Sequence, residues 1–314
     1  MSRISDSEIC TMLGIRFPLF QGGMAWISGV SLAAAVSEAG GLGILTSVGE
    51  TAESLRDSIR RVREKTRNPF GVNIMLQSPH VQELAEVLTE ERVPVVTTGA
   101  GNPAPFMADW ARAGIRVIPV VASVSSARLM ERYGASAVIA EGTESGGHIG
   151  EITTLCLTPQ IADVVRIPVI AAGGIGDGRG MAAMFLLGAH GVQVGTRFLL
   201  ARECPVHGEY KKLLLKAKDT GTIVTGRRWK KTVRALKSPF TSRLAEEEEK
   251  ARHISPAAAA FGTGALKKAV REGDREQGCF MAGQIAGMLD REQTARDIVE
   301  EIALQAEKLL ENRP

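Results

Sequence analysis

A histidine flanked by glycines is the strongest chemical signal in this sequence. His148 lies within the segment Glu141–Gly150 and directly follows Gly146 and Gly147. The glycines predict a flexible loop, and because imidazole changes its charge near neutral pH, a histidine in such a loop is suited to general acid–base catalysis. The other histidines lack this glycine-rich setting: His80, His190, His207 and His253. We therefore predict that His148 is a catalytic residue.

Two further glycine-bearing loops have the composition of a phosphate site. They are Ala172–Gly178 and Gly195–Arg197, and their candidate phosphate-binding residues are Gly173, Gly174, Gly195 and Thr196. Glycine lets backbone amides approach a phosphate closely, and a following helix N-terminus adds partial positive charge. Tight turns alone would also explain these glycines. A Gly-x-x-x-x-Gly-Lys-Ser/Thr motif is absent from the sequence, which disfavours hydrolysis of a nucleoside triphosphate.

Polar or glycine-rich positions near two other apolar runs could contact a flat ring. The loop that contains Gly22, Gly23 and Met24 leaves backbone groups available, and Asn73 places an amide within an apolar run. A buried amide needs hydrogen-bond partners. Asn73 could therefore face the polar edge of such a ring, or it could cap structure locally.

Eight short apolar runs alternate with helical patterns and would position these loops. The runs begin near Phe17, Gly41, Gly71, Pro94, Ile115, Ser136, Pro168 and Gly191. This alternation is typical of parallel βα units, and eight units fit a closed (β/α)8 TIM barrel better than an open doubly wound sheet. In such α/β barrels the chemistry lies at the carboxyl ends of the strands, and phosphate is often bound after strands seven and eight.

The pattern changes after Arg197. No clear strand is visible from Arg202 to about Gly278, which predicts a second, smaller and mostly helical domain inserted after strand 8. We expect residues 1–200 to form the barrel, residues 201–283 to form a lid for substrate or nucleotide, and a C-terminal helix at 284–314 to complete the barrel. Six basic residues concentrate in the lid: Arg227, Arg228, Lys230, Lys231, Arg234 and Lys237. A run of charges is ordinarily a solvated helical face, and the alternatives are docking of an acidic partner or binding of a nucleotide's phosphates.

Composition excludes several classes of function. The chain has 314 residues, 44% of them hydrophobic and 23% charged, with a net charge of +3. This net charge is too small for the broad basic face that general nucleic-acid binding needs. The four cysteines are far apart, and neither a signal-peptide core nor an apolar stretch of about 18 residues is present. We expect free thiols and a cytoplasmic protein that does not bind nucleic acid or membranes.

Several segments together resemble the nitronate monooxygenase superfamily. They are Gln21–Trp26, Gly71–Met75, Val96–Pro103, Gly146–Gly150, Ala171–Gly174 and Val192–Phe198. Two C-terminal segments, Gly262–Leu266 and Met281–Gly287, are similar to the flavin-dependent, FabK-type enoyl-acyl carrier protein reductases of that superfamily. The similarity extends over nearly the whole chain. Ser145 and Gly176 stand where many relatives are expected to have alanine, and both replacements are small.

The resemblance implies an enzyme with FMN, reduced by NADPH or NADH and reoxidised by a trans-2-enoyl thioester on an acyl carrier protein. His148 would steer the substrate or assist protonation at its α-carbon. The implied flavin contacts are Gly22, Gly23, Met24, Asn73, Gly146, Gly147, Gly173, Gly174, Gly195, Thr196, Met281 and Gln284. A monovalent cation at a site that the sequence does not define is also implied, and a homodimer is expected.

Three alternatives remain open from the sequence. A nitronate monooxygenase would use the same barrel and flavin with oxygen as electron acceptor, and its histidine would remove a proton from a nitroalkane. An NAD(P)H:quinone reductase would use a quinone as acceptor. A flavin- or phosphate-binding regulatory protein would show no turnover, and His148 would then only cap a loop.

Overall fold

A ring of eight parallel strands forms the centre of the protein. The computed structural model describes residues 4–250 and 264–311. The strands of the ring are β1 (Leu19–Gln21), β2 (Gly43–Thr46), β3 (Phe70–Met75), β4 (Val95–Gly99), β5 (Arg116–Val121), β6 (Val138–Glu141), β8 (Val169–Ala172) and β9 (Gly191–Val194). The two-residue strand β7 (Gly147–His148) lies outside the ring. The eight predicted strands are thus all present.

The ring closes at β1, which pairs with the last strand, β9, on one side and with the start of β2 on the other. β1 pairs in parallel with β9, with Leu19 opposite Val192. On its other side, the amide of Leu42 donates to the Leu19 carbonyl at 2.9 Å, and the Leu42 carbonyl accepts from the Gln21 amide at 2.9 Å. These bonds join β1 to the start of β2, so the sheet is a nearly closed (β/α)8 barrel and the predicted fold class is confirmed.

Helices cover the outside of the barrel. They are α2 (Val30–Glu38), α3 (Ala52–Lys65), α4 (Val81–Glu90), α5 (Ala104–Arg112), α6 (Val124–Arg132), α7 (Thr154–Ala162) and α8 (Gly178–Leu186), and the short α1 (Glu8–Leu13) precedes β1. In α3 the sequence determines both the start and the buried face. Thr51 and Ser54 form a capping box, and Leu55, Ile59 and Val62 recur at helical spacing and are buried.

Strand alternation separates the barrel interior from the layer between strands and helices. In β6, Val138 and Ala140 pack in the cluster that faces the helices, whereas Ile139 packs in the interior cluster. The interior cluster also contains Phe20, Ile44, Val95, Ile118 and Ile170, together with Ile9 and Leu13 of α1. Successive side chains of a strand point to opposite faces. Glu141, two positions after Ile139, therefore lies on the interior face at the carboxyl end of β6.

In the described part of the region after β9 there are helices and a hairpin that the sequence did not predict. Its elements are a 3₁₀ helix (Thr196–Leu200), α9 (Gly208–Leu215), β10 (Thr222–Thr225), β11 (Val233–Leu236), α10 (Pro239–Lys250), α11 (Gly264–Arg271) and a 3₁₀ helix (Gln284–Met288). β10 and β11 pair antiparallel, and β11 also pairs with β7. The expectation of no clear strand from Arg202 to about Gly278 was wrong, and β10 and β11 were missed because each has only four residues. The domain boundaries stay a prediction.

The last helix, α12 (Ala295–Glu311), returns to the barrel. It packs mainly on α8 and also on α2. Its buried face includes Ile298, Val299 and Ile302, which lie in one cluster with Leu32 of α2 and Met181 of α8. In the two described ranges, no helix is long and apolar enough to cross a membrane.

Candidate active site

The loops after β1 and β9 meet at the carboxyl end of the barrel. The Gly22 amide donates to the Val194 carbonyl at 2.9 Å, and the Met24 amide donates to the Ser28 hydroxyl at 2.8 Å. A Cβ built on Gly195 would lie 3.7 Å from the Met24 sulfur, and that side chain is its only close neighbour among the described residues. Gly22, Met24 and Gly195 are therefore adjacent, and open space lies above Gly195.

Asn73 stands beside the first loop. A Cβ at Gly23 would overlap the Asn73 side chain, so only glycine lets the two segments approach this closely. The Asn73 Nδ2 group donates to the Thr97 hydroxyl at 3.0 Å. This bond fixes the amide, and the structure thus brings together the predicted contacts from the loops after β1 and β9 and from strand β3.

Two glycines after β8 have backbone conformations that suit an anion-binding loop. Gly173 has φ +94° and Gly174 has φ +72°, in the left-handed region that favours glycine. The amides of these two residues donate no hydrogen bond to any group within residues 4–250 and 264–311. The 3₁₀ helix that starts at Thr196 adds amides without an intrahelical partner. These free donors and the open space at Gly195 fit a phosphate group.

The helix after this loop does not contribute its N-terminus in the expected way. The first amides of α8 are already bonded, because Asp177 accepts from Arg179 at 2.9 Å and from Gly180 at 3.4 Å. The remaining Gly178 amide donates to Gln305 of α12 at 2.8 Å. The available phosphate donors are therefore the loop amides and those that begin the 3₁₀ helix after β9.

The segment that contains His148 is not a flexible loop, contrary to the sequence interpretation. Gly147 and His148 form β7, which pairs with Arg234 and Val233 of β11. The Ile149 amide adds a bond of 3.2 Å to the Thr232 carbonyl. The pairing fixes the backbone of His148, and its side chain remains exposed at the rim of the site.

The charge state of His148 follows from its surroundings. Desolvation by the nearby chain and then the positive charge of Lys231 hold the pKa of His148 below its ordinary value of 6.5. The imidazole is therefore mostly neutral at pH 7, with one nitrogen that donates and one that accepts.

The C-terminal segment at residues 281–284 closes the site against this strand. A Cβ at Gly146 would lie 2.6 Å from the carbonyl carbon of Ala282 and 2.7 Å from the Gly283 amide nitrogen. One at Gly147 would lie 3.6 Å from the Met281 sulfur. The Gly283 amide also donates to the Thr196 hydroxyl at 2.8 Å, so this segment bridges the loop after β9 and the His148 segment.

Gln284 reaches the site through its backbone. Its amide donates to the Glu144 carbonyl at 2.9 Å, while its side chain is exposed. Through these contacts the structure places all twelve predicted flavin-contact positions and His148 in one connected region at the carboxyl end of the barrel.

Sequence reasoning did not assign three charged residues of this region to the site. Burial raises the pKa of Glu141 to about 7, and the Ser145 hydroxyl opposes that shift. Glu144 accepts from the Thr154 amide at 2.8 Å and from its hydroxyl at 2.9 Å, which ties the His148 segment to α7. Arg234 is only 7% exposed and is not part of the surface patch in which the sequence placed it. Only Glu141 had a readable signal, since it ends an apolar strand.

A cation site is not evident from side chains. Within the part of the chain that the structure describes, no group of three or more His, Cys, Asp or Glu residues could hold a metal ion. The four cysteines are free; Cys156 is exposed and the other three are buried.

Comparison with known proteins identifies the family. A family model described as nitronate monooxygenase matches residues 6–91 and 80–305. The chain belongs to the nitronate monooxygenase family. Members of this family and its FabK branch are FMN-dependent oxidoreductases, and the cradle of free amides and glycines described above fits the phosphate of FMN.

Individual relatives of the nitronate monooxygenase family cover nearly the whole chain. The structure of FabK from Thermotoga maritima is 48% identical, covers 97% of each chain and has a TM-score of 0.93. A nitroalkane oxidase structure from Streptomyces ansochromogenes is 30% identical, with a TM-score of 0.85 and coverage of 96% of this chain and 98% of that chain. A Mycobacterium tuberculosis protein is 34% identical over 340 residues, with 96% coverage of both, and is named (3aS,4S,5R,7aS)-5-hydroxy-7a-methyl-1-oxo-octahydro-1H-indene-4-carboxyl-CoA dehydrogenase. The resemblance to a FabK-type member of this superfamily is thereby confirmed.

Proposed function

We propose that this chain is an FMN-dependent enoyl-acyl carrier protein reductase that uses NADPH or NADH. The observation that carries the proposal is the similarity to FabK from Thermotoga maritima, at 48% identity and TM-score 0.93 over 97% of both chains. The C-terminal segment with Met281 and Gln284, which resembles the reductase branch, lies against the His148 segment. Both the global similarity and this local arrangement support the reductase.

The chain's own residues would bind and orient the flavin. The free amides of Gly173 and Gly174, together with those after Gly195, would hold its phosphate, and Asn73 would meet the polar edge of the ring. FMN bound there would supply hydride transfer from the nicotinamide nucleotide to the β-carbon of the enoyl thioester. Glycine at position 146 lets residues 282–283 approach, which would help to exclude water from the ring.

His148 would act on the thioester end of the substrate. Because its lowered pKa keeps the imidazole mostly neutral at pH 7, His148 would donate a hydrogen bond to the thioester carbonyl rather than hold a full positive charge. Such a bond orients the enoyl group and stabilises negative charge that develops on the carbonyl oxygen. Protonation of the α-carbon by this residue would become more effective as the pH falls.

An anaerobic half-reaction experiment tests the reductase. The purified protein should release FMN, its flavin should be bleached by NADPH or NADH, and crotonyl thioester should restore the oxidised spectrum without oxygen. Bleaching without reoxidation by the thioester would reject the enoyl reductase. A protein whose flavin is not bleached by either nucleotide would not be an NAD(P)H oxidoreductase.

Nitronate monooxygenase is the second candidate. It is favoured by the matching family model and by the 30% identity to the nitroalkane oxidase of Streptomyces ansochromogenes. The same neutral imidazole could accept a proton from a nitroalkane. Oxygen consumption on addition of a nitronate, in a protein that does not reduce crotonyl thioester, would select this function.

An exposed basic turn in the hairpin has a charge that suits an acidic partner. The turn between β10 and β11 presents Arg227, Arg228, Lys230 and Lys231 to solvent. Glu248 fixes the turn by accepting from the amides of Gly226 and Arg228, each at 2.7 Å. We infer that an acyl carrier protein docks here, since opposite charges accelerate encounter and salt screens them.

Substitution of the four exposed residues by glutamine tests this docking. The KM for an acyl carrier protein-linked substrate should rise much more than the KM for crotonyl-CoA. Replacement of Arg128 and Arg132, which are exposed on α6, serves as a control for lost positive charge. A raised KM for NADPH with either acyl substrate would instead indicate that the turn binds the nucleotide's phosphates, and unchanged constants would indicate a solvated surface.

A further inference from the structure

The segment from Thr143 to His148 is held at two points by one residue of the hairpin. The backbone of Arg234 pairs with Gly147 in the β11–β7 ladder. The side chain of the same residue turns back, and its Nε donates to the Thr143 carbonyl at 3.1 Å. Arg234 therefore spans the segment that contains the predicted flavin contact Gly146.

The guanidinium of Arg234 is itself fixed. Its Nη1 donates to the Thr222 hydroxyl of β10 at 3.1 Å, and the residue is only 7% exposed. Its planar donor fork can meet two acceptors in fixed directions, which a lysine ammonium on a flexible stem does not do. Burial holds the pKa of Arg234 below its ordinary value, the Glu144 carboxylate opposes this shift, and the positive charge of Arg227 adds to it.

Anchors on the barrel side complete the arrangement. The Glu144 side chain caps the start of α7 through Thr154, and the Glu144 carbonyl accepts from the Gln284 amide at 2.9 Å. The start of the segment is thus fixed to the barrel, where the Thr143 amide also donates to the Ile152 carbonyl at 2.9 Å, and Arg234 links both ends of the segment to the hairpin. Movement of the hairpin would shift His148 relative to the barrel loops.

We propose that Arg234 is a positioning residue that sets the place of His148 over the barrel by holding Thr143 and Gly147 together. The proposal rests on the proposed function insofar as His148 acts on the substrate. It assigns to a buried arginine of the hairpin a task in the reaction that requires no contact with substrate or flavin.

Three variants test this role in the flavin-bound protein. Arg234→Met removes the charge and both side-chain hydrogen bonds but keeps most of the volume. Arg234→Lys keeps the charge and the aliphatic stem and loses the fork, so it separates geometry from charge. Arg243→Met is the matched control, since Arg243 is half-exposed in the same region and pairs with Glu276 at 2.7 Å.

The expected result has a kinetic and a structural part. With Arg234→Met, kcat for enoyl reduction should fall by about 10- to 100-fold with little change in KM, because a misplacement of about 1 Å can cost that much. Hydrogen exchange at the amides of residues 145–149 should become about tenfold faster, as expected for a loosened segment. Arg234→Lys should show smaller changes in the same direction, and Arg243→Met should resemble the wild type.

Two outcomes would overturn the proposal. One is wild-type exchange at residues 145–149 in both Arg234 variants. The other is an increase in exchange throughout β10, β11 and α10 equal to that at 145–149, which would make Arg234 an ordinary structural residue. If Arg234→Met does not fold, Arg234→Lys decides between the same outcomes. Exchange is measured without an enoyl substrate, so an inactive wild type would reject the proposed function and leave the test of Arg234 intact.

Discussion

Replacement of Glu141 by glutamine should change how the stability of the protein depends on pH. Glu141 is the last residue of β6 and lies on the interior face of the barrel, two residues after the buried Ile139. Burial raises the pKa of its carboxyl from 4.5 to about 7. The folded protein therefore holds a proton on Glu141 over a pH range in which the unfolded chain has lost it.

The sign and size of the effect follow from linkage. Between about pH 4.5 and about pH 7 the folded state binds more protons, so stability falls as the pH rises and is constant above that range. The pKa values of Glu141 in the folded and unfolded states differ by about 2.5 units, and each unit corresponds to about 1.36 kcal/mol, so the free energy of unfolding changes by about 3 kcal/mol at most. Partial solvent access reduces this change to about 1 to 3 kcal/mol. Glutamine does not ionise. Glu141→Gln should thus be more stable than the wild type at pH 8 by this amount and nearly equal to it at pH 4.5.

Urea denaturation at several values between pH 4.5 and pH 8 measures this difference. FMN is kept at one saturating concentration, because ligand binding adds to apparent stability. Glu151→Gln, at an exposed position, is the matched control and should follow the wild type. If wild type and Glu141→Gln lose stability equally between pH 5 and pH 8, the carboxyl of Glu141 is ordinary and the reasoning from its burial is wrong.

Two further predictions concern the flavin and the histidine. Gly146→Ala should lower FMN content, because its Cβ would lie 2.6 Å from the Ala282 backbone and would force residues 282–283 away. Gly208→Ala, where a Cβ meets nothing within 4 Å, is the control. Full flavin retention in both variants would contradict the contact between Gly146 and residues 282–283. His148→Ala should keep the flavin spectrum and slow the enoyl half-reaction by about 10²- to 10⁴-fold. An unchanged rate in stopped-flow traces would remove His148 from the reaction.

The barrel could be predicted because each of its strands has a local signature. Runs such as Pro168–Ala172 are apolar, β-branched and bounded by a proline or by glycine, and helical patterns separate them. Parallel strands joined by short crossovers then leave few possible arrangements. The positions of Gly22, Gly173 and Gly195 at one end of the barrel follow from that order alone.

The hairpin could not be predicted because its strands lack such a local signature. Thr222–Thr225 and Val233–Leu236 have four residues each, and one contains a buried arginine. The third strand of their sheet, Gly147–His148, is too short to leave a pattern and is more than seventy residues away in the chain. Its pairing depends on tertiary contacts, so the sequence interpretation treated the His148 segment as a flexible loop.

The same limitation explains the misplacement of Arg234 and of the α8 N-terminus. A cluster of basic residues suggests a surface, and only the contacts of Arg234 with Thr143 and Thr222 show that this member points inward. A helix start after glycines suggests an anion site, but Gln305, more than a hundred residues later, already accepts from Gly178. Long-range partners of this kind have no signature in the local sequence.

The placement of α12 has a consequence for how the chain folds. β1 and β9, the first and last strands of the ring, meet at one seam, and α12 covers the α2 and α8 helices on either side of it. Residues 295–311 are synthesised after every strand of the ring, so a nascent chain that has not yet reached them still exposes the apolar side chains of Leu32 and Met181. During synthesis the chain therefore passes through an almost complete barrel with an uncovered seam. Truncation before residue 295 would leave this apolar surface exposed and the protein prone to aggregation.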